Sequence, residues 1–265
     1  MKKKSVTCIV QARISSTRLP GKVLLHGYNK PLLLHLIERL KKAKLIKEII
    51  IATTFRKEDD LIVDLCKKNK IKFFRGNPTN LLDRYYKCSK KFKATDILRI
   101  TSDCPLMDYE LVDKVIRKYF LLKSDFISNT HPPTYPDGFD IEIFNFKTLK
   151  KTFLKAQKAY EKEHVTPYMW DNNKEFKVDN YFYEKGNFYN KYRLTLDYKE
   201  DYYVISKIFN SLYKKDKYFK IVKVINFLKK NRKILINHKL IKVNWYRHHI
   251  KELKTIKKID TKKYN

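Results

Sequence analysis

Val10-Gln11-Ala12-Arg13-Ile14-Ser15-Ser16-Thr17-Arg18-Leu19-Pro20-Gly21-Lys22 follows a short apolar run, Ser5 to Val10, near the start of the chain. The run reads as a strand, and what comes after it sets two Arg, one Lys and three hydroxyls in a turn-forming segment. Exposed backbone N–H groups and cationic side chains at a strand end suit a polyanion, and Gly21 lets the backbone approach it closely. The segment is not a P-loop of the form GxxxxGK[ST], because it has a single Gly and Val23 follows Lys22. The competing reading is a solvated basic loop, which is the ordinary fate of a charge-rich segment.

Working outward, apolar strands and amphipathic helices alternate through the first half. Pro31 to Ala43 carries Leu33, Leu36, Ile37 and Leu40 at helical spacing, and Glu48 to Thr53 is a continuous apolar run suited to a strand buried on both faces. A helix from Asp59, a strand Ile71 to Phe74, a helix N-capped by Asn80, a strand Asp96 to Ile100 and a helix from Pro105 or Tyr109 to Leu122 follow. This pattern predicts a mainly parallel sheet with helices on both faces and ligands at the carboxyl ends of the strands. Phe126 to Ser128 reads as a brief strand, Asn129 to Gly138 as a proline-rich loop of functional length, and Asp140 to Phe144 as a half-exposed strand with Asp140 and Glu142 on one face. Phe146 to Tyr160 reads as a helix, and Lys177 to Tyr183 and Tyr192 to Leu196 as strands. From Asp201 onward the pattern is helical, with little sign of a new core. The expected division is a domain over 1–200 and a basic helical extension over 201–265, which holds 19 Lys and Arg against four acids.

A chain of 265 residues that is 43% hydrophobic can bury a substantial core. Its start lacks the long apolar segment of a signal peptide and no membrane span is visible, so a cytoplasmic location is expected. Cys8, Cys66, Cys88 and Cys104 are scattered, without CxxC spacing, and read as reduced, packed thiols. The net charge of +32 raises a nucleic-acid hypothesis. Only 11 of the 60 basic residues are Arg, however, and the Lys are spread along the chain beside abundant Asn, Ile, Tyr and Phe, as in an AT-rich genome. No nucleic-acid motif appears, and specific nucleic-acid binding is not expected. Arg then stands out where its fork geometry matters, at Arg13, Arg18, Arg75, Arg84, Arg99 and Arg193.

Two further stretches carry chemistry. Thr101-Ser102-Asp103-Cys104-Pro105-Leu106-Met107-Asp108 follows a strand directly, where an Asp can hold a divalent cation bound to nucleotide phosphates. Asp103 or Asp108 could equally cap the next helix, and Asp108 is the better placed to do so. Leu194-Thr195-Leu196-Asp197-Tyr198-Lys199-Glu200-Asp201 sets Asp197 at another expected strand end, so two distant Asp could meet at one metal. By itself this stretch reads as a turn with Asp201 as the N-cap.

Together these motifs resemble the SpsF-like spore-coat polysaccharide cytidylyltransferases, and the opening loop is also similar to that of the 3-deoxy-manno-octulosonate cytidylyltransferases. The likeness runs from Gln11-Ala12-Arg13 to Leu24, through Arg75-Gly76, Leu82 to Tyr85, Arg99 to Leu106, Tyr135 to Glu142 and Glu163 to Tyr168, in order over roughly the first 200 residues. It implies a three-layer α/β/α, Rossmann-like nucleotide-diphospho-sugar transferase fold, CTP as co-substrate, Mg²⁺ as cofactor and pyrophosphate as leaving group. By position, Gln11, Ala12, Arg13, Arg18, Gly21, Lys22, Arg75 and Ser102 match nucleotide-binding residues, with Lys22 and Arg13 as the catalytic cations. Asp103 and Asp197 match the metal ligands. The family usually has a proline in the segment after the second Asp, where this chain reads Asp197-Tyr198-Lys199-Glu200-Asp201.

Asp137, Asp140, Glu142 and His164 are the candidates for binding a small acidic or sugar-like acceptor. Each has a plain alternative: a turn at Asp137-Gly138, a solvated strand face for Asp140 and Glu142, and a packed helix residue for His164. The expected activity is transfer of CMP to a sugar acid or sugar-like acceptor for surface polysaccharide, lipopolysaccharide or capsule. The rival is a glycosyltransferase of the same fold using a nucleotide-sugar donor. The helical tail is a candidate for pairing with a second copy in a homodimer.

Overall fold

In the computed structural model, which describes residues 4–243, 251, 254 and 255, the alternation seen in the sequence becomes one seven-stranded sheet. Its strands are β1 (Val6–Gln11), β4 (Ile46–Thr54), β5 (Lys72–Gly76), β6 (Asp96–Thr101), β7 (Phe126–Ser128), β8 (Glu142–Asn145) and β9 (Val178–Asn180), in the order β5-β4-β1-β6-β8-β7-β9. A small hairpin pairs β2 (His26–Gly27) with β3 (Lys30–Pro31). β5, β4, β1 and β6 run parallel, and β8 is antiparallel to both β6 and β7. The chain leaves β1 towards β4 and β5 on one side and comes back to β6 on the other. The crevice of such a sheet opens at this reversal of strand order, beyond the carboxyl ends of β1 and β6.

The period-two alternation of the strands divides the apolar residues between two cores. Cys8, Val10, Ile51, Leu98 and Ile100 face one layer, while Ile9, Ile50, Ala52 and Ile97 face the other. The first core is closed by α1 (Leu32–Leu40), α2 (Asp60–Lys68), α4 (Tyr109–Leu122), α8 (Lys199–Leu212) and α9 (Ile221–Lys230); the second by α3 (Leu81–Lys91), α5 (Phe146–Lys155), α6 (Ala159–His164) and α7 (Pro167–Asp171). This is the expected three-layer α/β/α arrangement. All four cysteines are buried and free. Among the described residues no helix is long and apolar enough to cross a membrane.

Local capping chemistry sets several helix starts. Asn80 accepts from the Asp83 N–H at 2.9 Å, and Asn145 from the Thr148 N–H at 2.7 Å. Asp108 caps α4 through the N–H groups of Glu110 and Leu111, and its second oxygen accepts from the Ile221 N–H at 3.0 Å at the start of α9. One carboxylate therefore ties two helices that are distant in sequence.

The structure departs from expectation in four stretches. Phe146 to Tyr160 is two helices, α5 and the start of α6, because the chain extends at Ala156. The strand expected over Lys177 to Tyr183 is limited to Val178–Asn180. Tyr192 to Leu196 is not a strand; it is an extended segment held by single contacts described below. β8 begins at Glu142 and is buried on both faces rather than half-exposed, since it lies between β6 and β7.

The expected boundary at 200/201 falls in the first turn of α8. Val204, Ile205, Ile208, Phe209, Ile221, Val224 and Leu228 join the same core as β1. Arg39, fully buried on α1, donates to the carbonyls of Met107, at 2.7 Å, and Phe219, with its guanidinium 4.4 Å from the Phe219 ring. Burial lowers its pKa to about 10. Residues 244–250, 252–253 and 256–265 of the extension lie outside the described residues. We expect Phe209→Ala to cost about 3–5 kcal/mol, as for a buried aromatic truncated to a methyl, while urea unfolding stays a single transition. Two separated transitions in the wild-type protein would show that α8 and α9 fold apart from the sheet.

Candidate active site

The opening loop leaves β1 at Gln11 and is shaped by its own backbone and one buried acid. The Ser16 and Gly21 N–H groups both donate to the Ile14 carbonyl, at 2.8 and 3.0 Å. Gly21 takes φ +68°, a left-handed conformation that costs a residue with a Cβ. Asp59, fully buried at the start of α2, accepts from the Ile14 N–H at 2.7 Å and from the Thr54 hydroxyl, which clamps the loop to the end of β4.

The loop turns Lys22 inward. Its Nζ lies 2.8 Å from Asp197 Oδ1 and 3.4 Å from Asp103 Oδ2. Arg18 meets the same Asp197 oxygen at 2.9 Å and lies over the Tyr198 ring. Burial works against the charge on Asp197, but Lys22 and Arg18 outweigh it and bring its pKa down to about 2. Burial also opposes the charge on Lys22, and Asp103 and Asp197 overcome it, so the Lys22 pKa is raised. The two Asp singled out in the sequence thus meet at one cationic nitrogen, although 175 residues separate Lys22 from Asp197.

Backbone contacts support this meeting. The turn after β6 is closed by the Cys104 N–H on the Thr101 carbonyl, and the Ser102 N–H donates to the Gln11 carbonyl at 3.2 Å. The Leu196 N–H donates to the Asp103 carbonyl at 2.9 Å, and the Leu194 N–H to the Asp137 carbonyl at 2.7 Å. Gly138 has φ +104°, and a Cβ there would sit 2.4 Å from the Leu194 carbonyl. Only glycine lets the proline-rich loop lie this close to the 193–197 segment.

Arg193, 3% exposed, stands out in the sequence without a role, as Arg84 and Arg99 do. Its Nε and Nη2 reach Asp201 at 3.0 and 3.3 Å, Nη2 also reaches Asp197 Oδ2 at 3.2 Å, and Nη1 reaches Asp137 at 3.1 Å. Asp201 in turn accepts from the Asp197 and Tyr198 N–H groups at 3.0 Å each. An isolated Arg among Lys, close before an Asp-rich turn, was the available signal for Asp197 and Asp201, but Asp137 comes from a segment that only folding brings near.

The remaining candidates divide. Arg13 is exposed and among the described residues makes no ion pair, so its guanidinium is available to a ligand. Ala12 is buried, its N–H on the Ala52 carbonyl at 3.2 Å. Arg75 instead braces the β4–α2 connection, donating to the Thr54 and Arg56 carbonyls at 2.8 and 2.9 Å and pairing with Asp60 at 2.5 Å. Glu142, expected in the acceptor pocket, is 5% exposed and has both oxygens engaged, one by Arg99 and one by the Thr166 hydroxyl at 2.7 Å. It lies beneath the crevice because β8 is an interior strand. Arg99 also donates to Gln11 Oε1 at 3.1 Å. His164 ends α6, half-buried, beside Val165. Val165 has φ 71°, a strained conformation for a β-branched residue, in a tight turn where the Thr166 N–H meets the His164 carbonyl.

Asp137 and Asp140 face a surplus of negative charge. Burial first, then Asp197, Asp103 and Asp201, push the Asp137 pKa up to about 7, because Arg193 is shared among three acids. Asp140 is raised well above the usual range by burial and by Asp137, Asp103 and Glu142. Among the described residues no three or more His, Cys, Asp or Glu are arranged to hold a metal by themselves. Two carboxylates beside a cationic loop do fit Mg²⁺, which takes one or two protein carboxylates and completes its shell with water and substrate phosphates.

The family model described as Cytidylyltransferase matches residues 7–259. An uncharacterized protein of Methanocaldococcus jannaschii is 42% identical over 199 residues, covering 73% of this chain and 79% of its own. The spore coat polysaccharide biosynthesis protein SpsF of Bacillus subtilis is 34% identical over 208 residues, covering 76% and 85%. A solved cytidylyltransferase from Leptospira borgpetersenii superposes with a TM-score of 0.83 at 34% identity, over 88% of this chain and 97% of its own.

Two outcomes are expected from this geometry. Gly138→Ala should cost more than about 2 kcal/mol, from backbone overlap added to strain. Gly21→Ala, which meets nothing within 4 Å, should cost only about 1 kcal/mol; equal losses in chemical denaturation would contradict the close approach at Gly138. For Asp137, a folded pKa above the unfolded 3.8 gives a contribution complete below about pH 4 and lost as pH rises through about 7. Urea titrations at pH 5 and pH 8 should show that loss in wild type and a smaller one in Asp137→Asn.

Proposed function

This chain belongs to the cytidylyltransferase family, and on that premise we propose that it transfers CMP from CTP to a sugar acid or sugar-like acceptor. Pyrophosphate leaves, and the product feeds surface-polysaccharide assembly of the lipopolysaccharide or capsule type in the cytoplasm, where CTP is made. The observation that carries this reading is the convergence of Lys22 Nζ, Arg18, Asp103 and Asp197 at the crevice. The name of the B. subtilis relative supports the polysaccharide context.

The loop supplies the positive half of the site. Arg13 and Arg18 bind the β- and γ-phosphates, and Lys22 donates to the non-bridging oxygens of the α-phosphate, where charge accumulates as phosphorus becomes five-coordinate. Asp103 and Asp197 would hold Mg²⁺, which when bound would neutralise phosphate charge as a Lewis acid. The acceptor oxygen forms a bond to the α-phosphorus, the bond from that phosphorus to the α,β-bridging oxygen breaks, and its electron pair leaves on pyrophosphate. An acceptor oxygen that is already ionised needs no protein base. Asp137 and Asp140, on the loop facing the metal carboxylates, accept hydrogen bonds from acceptor hydroxyls. Glu142, Arg99 and Thr166 hold the floor beneath them, and Arg75 keeps the neighbouring loop in place.

The test is pyrophosphate release from CTP and Mg²⁺ with a panel of sugar acids and related acceptors. Lys22→Ala should slow release by about 10²-fold or more. In calorimetry, wild type should bind CTP more tightly with Mg²⁺ than without it, and Asp103→Asn should lose that difference. Turnover of a nucleotide sugar with no use of CTP would overturn the reading.

A further inference from the structure

The Arg193 guanidinium adds side-chain bonds between the Asp197–Asp201 turn and the loop that carries Asp137, where the backbone already brings them together. It spans Asp201 with two nitrogens, keeps Oδ2 of Asp197 at 3.2 Å and keeps Asp137 at 3.1 Å. Asp197 therefore has its two oxygens divided. Oδ2 is held from behind by Arg193, while Oδ1 faces Lys22 and Arg18 in the crevice. Arg193 is itself fixed, because Asn237 bridges the Arg193 carbonyl at 2.9 Å and Asp201 Oδ1 at 2.8 Å. A planar fork of five donors holds three carboxylates in fixed, spread directions, whereas the compact ammonium of a lysine draws its partners to one point without fixing their orientation.

We infer that Arg193 is a positioning residue that aims Asp197 at the metal and, through Asp137, locks the acceptor loop to the same frame. It is 3% exposed. Its effect runs through the rotamer of Asp197 and the position of Asp137, and the backbone bond from the Leu194 N–H to the Asp137 carbonyl makes the second link rigid. Partners that orient a metal ligand from behind typically govern metal affinity by 10–100-fold. Placement of the acceptor loop and of the metal carboxylate is thus one structural event, set by a buried residue. This inference rests on the metal assignment made above.

The experiment is calorimetric titration of CTP into the full chain at a series of Mg²⁺ concentrations. Arg193→Lys should raise the Mg²⁺ concentration for half-maximal CTP binding by about 10–100-fold, with CTP binding in the absence of Mg²⁺ within threefold of wild type. Manganese titrated alone and followed by EPR should show the same weakening without any turnover. Should Arg193→Lys not fold by circular dichroism, Asn237→Ala keeps the guanidinium but removes the support under the Arg193 carbonyl and Asp201 Oδ1, and should raise the requirement by at least threefold. A requirement within twofold of wild type in the folded variant overturns the role of Arg193. Absence of any Mg²⁺ effect in wild type defeats the metal assignment instead.

Discussion

One ammonium between two carboxylates sets the geometry of the crevice. Asp103 and Asp197 are carried by segments almost a hundred residues apart, and Lys22 Nζ lies within hydrogen-bonding reach of both. Desolvating charges is costly unless each finds a partner, so the folded chain must keep the opening loop, the turn after β6 and the 193–201 segment in contact. The shaping of the loop by Gly21 and Asp59, and the pairing of Leu196 with Asp103, serve that meeting. The acids still outnumber the cations, since Asp137 and Asp140 share a neighbourhood with Asp103, Asp197 and Asp201. A site poised in this way has room for a further positive charge that arrives with a substrate.

The sheet fixes where this happens. The reversal of strand order between β1 and β6 puts Gln11 and Thr101 side by side at the mouth of the crevice, and the residues that follow them form the site. Beneath the mouth, Arg99, Glu142, Gln11 and Thr166 make a continuous polar line on the face that carries α3 and α5 to α7. That line ends at the strained Val165 turn. The site therefore has a hydrogen-bonded floor beneath the loops that carry Lys22, Asp103 and Asp137.

The segment beyond residue 200 shares this architecture. α8 and α9 pack their apolar stripes into the core that backs β1, and Asp108 and Arg39 stitch them to α4 and α1. Asp201, in the first turn of α8, is the carboxylate on which Arg193 and the Asp197 backbone both depend. Removing the helices would take away one wall of the site as well as part of the core.

Much of this was legible in the sequence because it rests on short-range physics. Period-two and helical spacing gave the order of elements, and Asn80 and Asp108 announced their helix starts. The conjunction of Lys22, Asp103 and Asp197 came from motif order. Tertiary structure decided the rest. Glu142 alternates with apolar neighbours as a surface residue would, and only the pairing of β8 between β6 and β7 buries it against Arg99. Arg75 and Arg193 share one residue type and lie in equally plausible segments, yet each is defined by carbonyls and carboxylates from elsewhere in the chain. Tyr192 to Leu196 has strand-like composition but no complete neighbour to pair with, so it stays extended and spends its N–H groups on Asp137 and Asp103. The sequence by itself determined which groups could bind a phosphate or a cation. Only the fold decided which of them meet at the crevice and which brace the chain, as Arg75 and Glu142 do, because the partners of a charge are chosen by long-range contact.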